Sequence, residues 1–134
     1  MDSNSKFTDD LKKYSEEIKG KAVSFQKAFA FELFKRLVLI TPVDTGRARG
    51  AWGVSVGNGS SIGDVRPDLF DKSGQNTITN GTTEIGKLND YGMILIYNPL
   101  SYINLIIEEG RSKQAPVGAA SMVLNDVGTM FGFR

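Results

Sequence analysis

An acid, two hydroxyls, a glycine and two arginines crowd between Thr41 and Arg49, in the stretch ITPVDTGRARGAWGVSV (residues 40–56). Two chemistries suit such a set: a phosphate-holding loop, or a joint between elements. A P-loop needs GxxxxGK[ST] between a strand and a helix. Here a helical pattern precedes a strand pattern and that spacing is absent. Asp44 and Thr45 carry side chains that close turns onto the backbone, and Gly46 suits an unusual backbone angle. The stretch therefore reads as a joint. Arg47 and Arg49 are expected to project at the start of the strand, toward acids of a neighbouring subunit or a nucleic-acid backbone.

The remaining reactive side chains form no better set. The adjacent Glu108 and Glu109 point to different faces of a short helix, while Glu84 and Asp90 fall on the sheet side. Paired carboxylates can hydrolyse glycosides, but with 15 acids in the chain such pairs arise without purpose. Asp64, Asp68, Asp71 and Asn76 offer oxygen ligands without the alternating acids of a calcium loop, and read as solvated. No histidine stands beside any serine to activate it. Gly110–Pro116, GRSKQAP, places Arg111 and Lys113 in a small basic patch beside Gln114, without the interleaved aromatics of a single-strand binder.

Composition excludes more. The 134-residue chain has no cysteine and no histidine, so neither thiol chemistry nor the commonest neutral-pH base is present. No cofactor and no metal are expected. A net charge of +1 gives no field for holding DNA or an anionic membrane. No apolar run approaches the roughly 20 residues that span a bilayer, and the polar start MDSNSKFTDD has no signal-peptide pattern. The chain is expected to act in cytoplasm or in an assembly built there.

The elements that must position the joint are these. Phe7, Leu11, Tyr14, Ile18, Ala22, Phe25 and Phe29 step by threes and fours, which predicts one helix over 7–40. Ser5 or Thr8 would cap it, Asp9 and Asp10 would suit its positive end, and Gly20 would mark a kink or close contact. After Phe29 the helix is apolar on most sides, so its second half enters the core while the first half lies on a surface. Pro42 ends it. AWGVSVG is a strand. Residues 57–81 read as a long polar loop, with a hairpin at Asn80-Gly81, that orders only on docking. TTEIGKL is a weak strand, and GMILIYN a strong, central one. SYINLIIEEG is a short helix closed by Gly110. The last helix follows Pro116, with Ala119, Met122, Val123 and Val127 on one side and an interruption at Gly128. The order predicts a single α+β domain over 1–134, after a polar tail at 1–6: a small, mostly antiparallel sheet with helices on one face.

Two stretches together resemble a known family. TPVDTGRARGAW (41–52) carries Thr41, Pro42, Val43, Asp44, Thr45, Gly46, Arg47, Arg49 and Trp52. YNPLSYINLIIEEGRSKQAP (97–116) carries Asn98, Tyr102, Glu108, Gly110, Ser112, Gln114 and Pro116. In that order they resemble the neck, or tail-completion, proteins of long-tailed bacteriophages, over roughly residues 8 to 128. The departures are Ala48 in place of a larger apolar residue, the second glutamate at 109, and Arg111 in place of a threonine. The resemblance implies a virion subunit with no catalysis. It would form a ring, a hexamer or dodecamer, that joins connector proteins to the tail tube around the channel through which DNA passes. Its interface candidates are Asp44, Arg47, Arg49, Trp52, Glu108, Arg111, Lys113 and Gln114. A tail terminator or minor tail protein is the nearest alternative. A small nucleic-acid-binding domain using Arg47, Arg49, Arg111 and Lys113 is another.

Overall fold

A computed structural model of the chain describes residues 3–44, 46–57 and 70–133. Its elements run in the order α1 (Ser3–Ile40), α2 (Arg47–Gly50), β1 (Gly53–Gly57), α3 (Gln75–Gly86), β2 (Met93–Tyr97), α4 (Ile103–Ile107) and α5 (Ala119–Met130). The class is α+β, with a two-stranded antiparallel sheet among the described residues.

The first helix is one continuous rod of 38 residues, about 57 Å long at a rise of ~1.5 Å per residue. It starts earlier than the pattern predicted. Asp9 and Asp10 consequently lie beyond its first turn, which holds no acid. Gly20 meets nothing within 4 Å, so it marks no close contact. The two halves differ as expected. From Ser5 to Ala22 nearly every residue is exposed, whereas Val23, Ala30, Phe34 and Val38 are buried.

That buried face meets the sheet and α3. Val54 pairs with Ile96 and Val56 with Ile94 across the ladder. Because side chains alternate along a strand, these four share one face, and they pack with Ala30, Phe34, Val38, Ile78 and Ile85 in the main core. Helices thus cover this face of the sheet. The second strand is not central, since among the described residues it has one partner, and none of its own residues is buried.

The segment over 75–86 departs most from expectation. Asn80 and Gly81 sit inside α3, not at a hairpin tip, and TTEIG is the end of that helix, not a strand. Its residues have weak helix propensity. Burial at Thr77, Gly81 and Ile85, four residues apart each time, supplies the missing stabilisation. A Cβ at Gly81 would overlap the Phe34 ring, so glycine here is what lets α3 lie against α1. Residues 58–69 of the expected loop, including Asp64 and Asp68, lie outside the described residues.

At the end of the chain, Ala119, Val123 and Val127 are buried, while Met122 is exposed. Gly128 does not interrupt α5, which runs on to Met130. The Phe131 and Phe133 rings beyond it pack edge-on or tilted against Phe25 and Phe29 of α1, with centroids 5.4–5.9 Å apart.

Candidate functional site

The joint forms because α1 must stop at Pro42 and leaves its last carbonyls without helical partners. Arg49 turns back to meet them. Its guanidinium donates to the carbonyls of Leu39 and Thr41, and to that of Lys72 on a separate segment, each at 2.8 Å. A planar cation with several donors is suited to such a span, and its charge opposes the negative end of the helix dipole. The Thr41 hydroxyl donates to the Leu37 carbonyl at 2.7 Å and accepts from the Trp52 indole N–H at 2.8 Å. Two of the interface candidates, Arg49 and Trp52, are therefore engaged within the chain. The expectation that both arginines project is corrected for Arg49. Its burial lowers its pKa, and the nearby Asp71 charge acts the other way; the group stays cationic.

Gly46 anchors the other side of the turn. Its φ of 86° lies in the left-handed region, as expected of it. Its carbonyl accepts from the Asp71 N–H at 2.9 Å, and a Cβ would press on the Asp71–Lys72 backbone. The joint thereby holds the start of α3.

The stretch over 97–116 closes on the one over 41–52. Asn98 donates from its side chain to the Ala48 carbonyl at 2.9 Å and accepts from the Leu100 N–H at 3.1 Å. The Val43 N–H donates to the Gln114 side-chain oxygen at 2.6 Å. Between these bonds Ala48, Ala51 and Leu100 form a small buried cluster, flanked by Ile103 and Ile106. Ala48 sits inside that cluster. A cleft of about 330 Å³ opens where the stretches meet, walled by Asp44, Tyr102, Ile106, Arg111, Ser112 and Gln114 among others. Asp44, Arg111 and Gln114 are thus brought together. Arg47 and Lys113 are exposed but outside the cleft wall.

Two carboxylates do the same job at two helix starts. Both α3 and α5 have a glycine at the N-cap, Gly74 and Gly118, with no side chain to bond the first N–H groups. Asp71 supplies the missing acceptor for α3. It accepts from the Thr77 N–H and hydroxyl, both at 2.8 Å, and from the Gly74 N–H and Ser73 hydroxyl at 3.2 and 3.3 Å. Burial would raise its pKa, but the bonds from Thr77, Gly74 and Ser73 outweigh it and hold the carboxyl below its ordinary value. Glu108 serves α5 alike, accepting from the Ser121 N–H at 3.1 Å and hydroxyl at 2.7 Å. The interface candidate Glu108 is therefore a capping residue, and Asp71 is no solvated loop acid.

Glu84 sits on α3 paired with Lys87, and Asp90 pairs with Lys19 of α1. Among the described residues no three acidic side chains gather as a metal site would require, and no helix is long and apolar enough to cross a membrane. The sequence reading took Asp71 for a solvated loop acid; the enrichment of acids at helix starts is the general signal that bears on it. Comparison with protein-family models, curated proteins and solved structures finds no match for this chain.

Proposed function

We propose that this chain is a structural subunit that assembles with copies of itself into a ring at the head–tail junction of a tailed bacteriophage, as a neck or tail-completion protein. One observation carries the reading: the two stretches that bear the family resemblance, fifty residues apart at Ala48 and Asn98, pack into a single bonded joint. The absence of histidine and cysteine from the sequence fits a role without catalysis.

In this reading the cleft with Asp44, Arg111 and Gln114 is the face offered to an adjoining neck or connector protein. DNA passes through the channel without being held, in keeping with a net charge of +1. Joint and caps keep the shape of that face fixed, so that docking costs little ordering entropy. The test is to image particles made without this chain. Filled heads separate from finished tails would support the reading; intact infectious particles would reject it.

A further inference from the structure

The first helix carries an apolar seam with two different fates. Phe7, Ile18 and Phe29 stand eleven residues apart; so do Leu11, Ala22 and Leu33, and so do Tyr14 and Phe25. An eleven-residue repeat at ~3.67 residues per turn keeps one stripe nearly straight along a helix. In its lower half the stripe is used. Phe25, Phe29 and Leu33, with Ile94, Ile96 and Phe133, wall an apolar groove of about 330 Å³. In its upper half nothing among the described residues covers it. Phe7 is 63% exposed, Leu11 52%, Tyr14 60% and Ile18 63%. Seam and groove are chemically alike, yet they lie on one rigid rod. Phe7 and Phe25 are eighteen residues apart, roughly 27 Å at ~1.5 Å per residue, so the seam cannot fold into the groove of its own chain.

We propose that the upper seam is covered by the upper seam of a second copy of the chain, its α1 running antiparallel to this one, with the second copy's Phe7 seated at the Phe25 end of the groove. The seam's own spacing gives the register. Pairing about residue 16 sets Phe7 of the second copy against Phe25, at the groove, and Tyr14 against Ile18 at the centre. Charge fits the same register. Asp10 and Lys21, both exposed, are eleven residues apart and so share one flank of the seam. In antiparallel helices that flank faces itself, which brings Asp10 within one residue of Lys21 of the other copy, twice by symmetry. Each copy's Phe7 then enters the Phe25 end of the other's groove, and the two upper seams from Leu11 to Ile18 cover one another. The pairing rests on the self-assembly reading above, but not on closure into a ring.

The test is the mass of the full chain in solution across concentrations, for the wild type and for Ile18→Glu. Ile18 is exposed and outside the core, so circular dichroism, and Tm measured at a dilution where both proteins are monomeric, should not change. The pairing expects the wild type to associate and Ile18→Glu to associate at least tenfold more weakly. It also expects Asp10→Lys and Lys21→Asp each to weaken association, and the double exchange to restore it. Equal association of wild type and Ile18→Glu would overturn the pairing while leaving a ring built through another surface. Assembly that stops at two copies would support the pairing and contradict the ring. A wild type that stays monomeric would overturn both. A monomer that floats with vesicles of mixed neutral and anionic phospholipid would assign the seam to a lipid surface and overturn the pairing.

Discussion

The Val43 N–H and the Gln114 side-chain oxygen lie 2.6 Å apart across 71 residues of sequence. This bond joins the end of the long helix to the turn before the last one, and it needs only an acceptor at 114. Gln114→Glu keeps an acceptor there and should leave Tm within a degree or two. Gln114→Lys offers only donors and should cost about 1 kcal/mol or more, read as a lower urea midpoint. Equal loss in both variants would show that the bond matters little.

Arg49 reaches three carbonyls with one guanidinium. Lysine carries the same charge without the fork. Arg49→Lys should therefore destabilise by roughly 1–3 kcal/mol, close to the loss from Arg49→Ala. If charge against the helix end were all that mattered, lysine would retain most of the stability.

Asp71 gives the acid dependence a sign. Its folded pKa is depressed, so its contribution is complete above the ordinary carboxylate pKa of about 4 and is lost as pH falls through the folded value. Asp71→Asn should lower stability at neutral pH and flatten the fall in Tm below about pH 4. An unchanged acid limb in the variant would remove Asp71 as its source. Hydrogen exchange should locate the neutral-pH loss in α3, with α5 protected by its own cap from Glu108.

Gly81 and Phe34 share one volume. Gly81→Ala in the otherwise unchanged chain should cost about 1–3 kcal/mol by overpacking. In a Phe34→Leu background the same change should cost much less, because the shorter side chain leaves room. Additive losses in the double-mutant cycle would mean that the two residues do not compete for space.

Much of the architecture was legible in the sequence because it rests on periodicity. The long helix, its exposed first half, its stop at Pro42, both strands and both later helices follow from spacing and from prolines. The helix over 75–86 was not legible. Its sequence is polar and glycine-bearing, and its order comes from the cap that Asp71 supplies and from Phe34, which only the folded chain brings near. The site was half legible. Its two stretches stand out by composition, and their contact does not. Arg49 and Glu108 look like surface charges until the helix ends they satisfy are in place, since nothing in residue type says which way a long side chain will turn.

The most direct test of the central claim, a subunit that works by closing on its own copies, is the mass of the assembled species formed by the full chain at high concentration. One copy weighs 14.6 kDa. The account expects a single closed species of six or twelve copies that does not grow further. A chain that remains at 14.6 kDa at every concentration, or that stops at two copies, would contradict it.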